Sequence, residues 1–159
     1  PLLRAFQKLR LDVVAYFWLW DGVKKSGLIN VDRLFHTDKI YKASEISAFN
    51  IYSEYLDLDK IYVINSFHHR RNQWQSWILW IKVLFHMMRQ HALVIHFAWP
   101  LTKCQKTLYL LRCKKVLTVH DPIPHSYLEK KYDEKCRQKA FAKCDKLVLL
   151  NHVLCNQFC

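Results

Sequence analysis

The densest group of reactive side chains in this sequence is His120-Asp121-Pro122-Ile123-Pro124-His125. A histidine beside a carboxylate can bond a sugar hydroxyl, move a proton or neutralise a phosphate near neutral pH. Each proline fixes its own φ and restrains the residue before it, so the segment is stiff, as a site held in one geometry requires. The competing reading is a strand-end histidine bonded to a backbone carbonyl. His68-His69-Arg70-Arg71 gathers four groups able to carry positive charge, with Arg70 and Arg71 as the pair that would contact a phosphate or lipid headgroup. A solvated turn explains them as simply. His96 is either a packed strand histidine or a substrate contact. Trp99, before Pro100, either closes an acceptor pocket or caps a sheet. His152, Cys155 and Cys159 are three and four residues apart and share one helical face, where a fourth ligand would complete a zinc site. One face of a buried helix accounts for them equally well, and we expect no metal. None of the six cysteines has Cys-x-x-Cys spacing, so they read as reduced thiols.

The elements that must position these groups follow from the apolar pattern. Residues 2–11 read as a short helix. Continuous apolar runs at 11–19, 60–66, 92–97, 115–120 and 146–151 read as buried strands. Trp74, Trp77, Ile78, Ile81, Leu84, Phe85 and Met88 recur at three and four, which predicts an amphipathic helix over 73–90. Further helices are expected at 101–112, 128–143 and from 152 onward. Segment 28–59 is mixed, with a helical stretch expected at 43–55. Short apolar strands alternating with helices predict an α/β chain, a Rossmann-like doubly wound parallel sheet in one domain, 1–159. Ligands in such sheets sit beyond the carboxyl ends of the strands. That directs attention to the loops after residues 66, 97, 120 and 151.

At 159 residues with 52% apolar content, the chain can bury a core and is neither disordered nor low-complexity. Twenty-five Lys and Arg against 13 Asp and Glu give a formal net charge of +12, which favours an anionic partner. With two glycines in all, there is no room for a Gly-rich phosphate loop. The longest apolar runs, 13–20 and 77–81, fall short of the ~20 residues of a membrane span. Pro1 is not an initiator Met, the first residues do not form a signal peptide, and 156–159 break off within a helical pattern. The expectation is a fragment cut at both ends.

Lys115-Val116-Leu117-Thr118-Val119-His120-Asp121-Pro122-Ile123-Pro124-His125 resembles the "TVHD-x-x-PH" stretch in the amino-terminal half of family 4 glycosyltransferases. Cys144-Asp145-Lys146-Leu147-Val148-Leu149-Leu150-Asn151 resembles that family's "A/C-D-x-(apolar)₃-x-S/N" strand. Leu93-Val94-Ile95-His96-Phe97 is similar to its "D-(apolar)₂-H-(apolar)" strand, with Leu93 in place of the acid. Order and spacing agree across 92–159.

The resemblance implies a GT-B architecture, two Rossmann-like halves with the active site in the cleft. This chain would be the acceptor-side half, without the first strand and its glycine-bearing loop. The enzyme would transfer a hexosyl-type sugar from a nucleotide-sugar donor with retention of configuration and without a metal or other cofactor. His120 would lie near the transferred sugar. Asp121 and His125 match the same motif and, with His96 and Trp99, would contact substrate; Asp145 would hold a turn. The donor site would lie mostly outside this chain, which alone would be inactive. The acceptor would be a sugar, polyol or lipid-linked molecule of cell-envelope, polysaccharide or glycolipid synthesis.

The Trp-bearing helix has two readings. Either Trp74, Trp77 and Ile78 pack on the sheet, or the helix lies in a membrane interface with Arg70, Arg71, Lys82 and Arg89 on lipid phosphates. The second places the enzyme in the cytoplasm, peripheral at the inner face of the plasma membrane. The alternative function is a basic nucleotide- or nucleic-acid-binding α/β module without catalysis. The absence of zinc-finger, RNP and Gly-rich motifs speaks against it, so no nucleic acid is expected as a partner.

Overall fold

The computed structural model describes residues 2–20, 38–66, 74–101, 103–119 and 137–149. The chain is an α/β protein of two compact units, Pro1–Val83 and Leu84–Cys159, with one mixed and one parallel sheet of three strands each among the described residues.

In the first unit, helix α1 (Leu2–Lys8) leads into strand β1 (Ala15–Leu19). Arg10 takes a left-handed φ of 55°, and the Leu11 N–H reaches back to the Phe6 carbonyl at 3.1 Å, which closes the helix. Strand β2 is Lys39–Lys42 and strand β3 is Ile61–Asn65. β3 is central, parallel to β1 and antiparallel to β2. It is also the most apolar of the three, with Ile61, Val63 and Ile64 buried. Residue alternation sends Leu19, Ile61 and Val63 to one face of the sheet. They form a core with Ala43, Ile46 and Phe49 from 3-10 turns at Ala43–Glu45 and Ser47–Tyr52. The helix expected at 43–55 is therefore a chain of short 3-10 turns, and the expected all-parallel pairing ends at β2. That strand is a four-residue edge with an exposed lysine at each end, the polar termination that discourages further pairing.

On the other face Tyr16 stacks on its cross-strand neighbour Tyr62 at 5.4 Å, and Trp18 meets Trp80 edge-on at 5.7 Å. Burial pushes the Tyr16 phenol pKa up, and Tyr62 adds to the effect. Trp80 belongs to helix α2 (Trp74–Arg89), which buries Ser76, Leu79, Trp80 and Val83. The expectation that Trp74, Trp77 and Ile78 pack on the sheet is overturned, because all three are exposed. The helix is apolar around most of its circumference, so spacing alone does not choose the inward side. The face carrying the small Ser76 is the buried one. The helix ends at His91, whose φ of 49° is left-handed.

In the second unit, β4 (Val94–Phe97), β5 (Lys114–Val119) and β6 (Lys146–Leu149) lie in the order β4-β5-β6, all parallel. Phe97, Leu117 and Val119 are buried on one face, and Tyr109 meets Phe97 edge-on at 5.6 Å. Tyr109 lies in Lys103–Leu110, which is 3-10 rather than the expected α-helix. Its first residue, Lys103, holds a left-handed φ of 45°. Of the helix expected over 128–143, residues 137–141 are helical and bury Ala140. The helix expected from 152 lies outside the described residues.

Candidate functional site

The three parallel strands of the second unit end on the same edge of their sheet, the edge where α/β sheets receive ligands. His96 and Thr118 project from β4 and β5 on the face opposite Phe97 and Leu117. The His96 Nε2 and Thr118 Oγ1 are 2.7 Å apart. Burial lowers the His96 pKa, so the ring is neutral at pH 7 and carries one N–H. The bond then runs either from the Thr118 hydroxyl to Nε2 or from Nε2–H to the hydroxyl oxygen. Either way the ring is held across the ladder, one residue short of the last described residue of each strand. Trp99 follows β4 by two residues and is 64% exposed. Its loop is tethered where the Leu101 N–H donates to the Tyr109 hydroxyl at 3.3 Å.

β5 ends at Val119, one residue before His120. His120, Asp121 and His125 lie outside the described residues, as do Arg70 and Arg71, their neighbours His68 and His69, and the set His152, Cys155 and Cys159. Of the expected site residues, then, His96 and Trp99 have a described geometry, both at or near the end of β4. Asp145 sits at the opposite edge. Its carboxylate accepts the Lys115 N–H at 2.8 Å and pairs with Lys114 at 3.3 Å, while its own N–H donates to the Lys115 carbonyl. The Lys115 N–H, then Lys114, hold its carboxyl below the usual carboxylate range. Asp145 therefore aligns the starts of β5 and β6.

Three residues were missed from sequence. Thr118 partners His96, and its signal was a hydroxyl inside an otherwise apolar strand. Asn65 and Ser66 are fully buried where β3 ends, and the Ser66 N–H donates to the Leu19 carbonyl at 2.9 Å. Two polar residues closing an apolar run were the available sign of a strand end made for hydrogen bonding. A groove of about 620 Å³ beside Arg10, Asp12, Glu54, Asp57 and Lys60 lies at the amino ends of β1 and β3, the wrong edge for a ligand of such a sheet.

Among the described residues no three His, Cys, Asp or Glu side chains cluster as a metal site. Burial pushes the Cys104 and Cys144 thiols up, which disfavours the reactive thiolate. No helix among the described residues is long and apolar enough to cross a membrane. The chain matches no protein-family model, no curated protein and no solved structure.

Proposed function

We propose that this chain is the acceptor-side half of a retaining family 4 glycosyltransferase of the GT-B class, a Rossmann-like doubly wound domain. The observation that carries the proposal is the position of β5. Among the described residues it is the middle strand of a parallel sheet, and its last described residue, Val119, immediately precedes His120-Asp121 in the chain. The motif that resembles the family's therefore follows directly on the carboxyl end of a central parallel strand. The Asp145 carboxylate on the Lys115 N–H adds support, because that motif position was expected to hold a turn.

In this role a sugar passes from its nucleotide diphosphate to an acceptor hydroxyl. The bond from the anomeric carbon to the phosphate oxygen breaks and one to the acceptor oxygen forms. The acceptor's proton leaves with the departing diphosphate. His120 contacts the transferred sugar, Asp121 and His125 contact substrate beside it, and Arg70 and Arg71 meet an anionic group. The exposed indole of Trp99 offers an apolar platform for an acceptor. The donor binds a second half outside this chain.

The test is nucleotide-sugar hydrolysis by the protein translated from the complete reading frame. We expect slow hydrolysis of one donor in a panel of uridine, guanosine and adenosine diphosphate sugars. His120→Ala should lower it by about 10²-fold or more, as loss of a positioned polar catalytic group does. No turnover across the panel, or full activity in His120→Ala, overturns the proposal.

A further inference from the structure

Helix α2 has two apolar faces, and the sheet uses one. Ser76, Leu79, Trp80 and Val83 are buried. Opposite them Trp74, Trp77, Ile78, Ile81, Phe85 and Met88 are 41 to 67% exposed. At 100° per residue these six fall within about a third of the circumference and run ~21 Å along the axis. An exposed apolar stripe of this size on a water-soluble surface marks a contact.

The charge around the stripe tells what it meets. Lys82 and Arg89 are exposed and flank one edge of it on the helical wheel. Helix α2 contains no acid, and from Lys60 to His120 the chain carries ten Lys or Arg and not one Asp or Glu. In a second copy packed on this helix Lys82 and Arg89 would meet like charge, with no acid on the helix to pair with them. An anionic lipid leaflet offers both halves of the complement, acyl chains for the stripe and phosphates for the cations. Tryptophans at one end of the stripe fit the bilayer interface, where an apolar ring with a polar N–H is at home. The stripe is too short to span a bilayer and long enough to lie in its surface.

We propose that the outward face of α2 seats in the interface of an anionic membrane, with Trp74, Trp77, Ile78, Ile81, Phe85 and Met88 among the acyl chains and Lys82 and Arg89 on lipid phosphates. This rests on the helix alone and is independent of glycosyl transfer.

Vesicle sedimentation of the whole chain, with phosphatidylcholine alone and with added phosphatidylglycerol, tests it. We expect binding to the anionic vesicles at low salt, with tryptophan fluorescence shifted to the blue and quenched by brominated acyl chains. Lys82→Gln with Arg89→Gln should weaken anionic binding by about thirtyfold, about fivefold for each charge at the surface. Ile81→Glu with Phe85→Glu should abolish binding while circular dichroism stays unchanged, since both positions face outward. Should that pair fail to fold, Trp74→Phe with Trp77→Phe decides, because most of the brominated-lipid quenching should vanish with those two rings. No binding at low salt overturns the proposal. So does binding that the stripe variants leave unchanged, which would be charge attraction alone. A dimer by light scattering that Ile81→Glu with Phe85→Glu dissociates would assign the stripe to a second copy instead.

Discussion

Replacing His96 by alanine and Thr118 by valine, singly and together, isolates the 2.7 Å bond that crosses from β4 to β5. Thr118 is 7% exposed, and valine keeps its volume, so the hydroxyl is removed without opening a cavity. His96 sits at the exposed face and can turn its freed nitrogen to water, so Thr118→Val orphans no buried group, whereas His96→Ala leaves the buried Thr118 hydroxyl without this partner. The expected coupling energy is that of one neutral hydrogen bond, about 1 kcal/mol. Urea unfolding at pH 8 measures it, and a coupling within about 0.3 kcal/mol of zero would refute the bond as a stabilising contact. The pH series supplies a second check. Burial holds the folded His96 pKa below its ordinary 6.5, so the unfolded chain takes up the proton first as pH falls. The stability His96 contributes is then full above pH 6.5. It declines as pH drops towards the folded pKa and levels off below that. The cost of His96→Ala should therefore be largest at pH 8 and smaller at pH 5. Solvent screening of this half-exposed ring keeps the difference modest. A cost that grows on acidification would refute the sign.

Other outcomes follow from the same geometry. Leu117→Ala, at the fully buried centre of β5, should cost about 2–5 kcal/mol in denaturant unfolding, whereas Val94→Ala on the exposed edge strand should change stability little. His91→Gly should stabilise by up to about 1 kcal/mol, because glycine adopts the left-handed φ of 49° without the Cβ clash. For Asp145→Asn the native carboxyl is depressed below its ordinary 3.8, so its stabilisation is present above that value and is lost as pH falls through the folded pKa. The unfolding midpoints of variant and native chain should differ at pH 6 and converge in strong acid. A gap that persists in acid would place the role of Asp145 elsewhere.

Five of the six described strands were legible as short, mostly apolar runs, although only β3 and the end of β5 are buried on both faces, and β4 and β6 expose alternate residues. Two of them were read too long at the amino end, 11–19 for Ala15–Leu19 and 92–97 for Val94–Phe97, since an apolar residue just before the first ladder bond looks the same as one inside it. β2 was not legible. Lys-Ile-Tyr-Lys has two apolar residues and no period, and the sheet recruits it through backbone bonds that no side-chain pattern announces. The 3-10 segment Lys103–Leu110 was read as α-helix because both helices repeat apolar residues about every third position. At the candidate site, His96 and Trp99 stood out as residue types, but the partner that fixes His96 is a threonine whose register across the ladder is a tertiary fact.

Helix α2 shows why amphipathicity alone cannot orient a helix. The six residues of the exposed stripe share their period with the buried set Leu79, Trp80 and Val83, so spacing alone left open which face packs on the sheet. Packing on a sheet is decided by fit. Ser76 and Val83 are small residues on the buried side, and Trp80 meets Trp18 edge-on there. Two or three bulky rings on that side would have held the helix off the sheet and left voids, which cost more than exposing the same rings does. The bulkier face is thus turned outward by the geometry of the core. A sequence that then keeps tryptophan, isoleucine and phenylalanine there, beside lysine and arginine and without one acid, retains apolar area that folding of this unit does not use. That unused area, at ~0.8 kcal/mol for each methylene taken out of water, is the driving force available to the membrane contact.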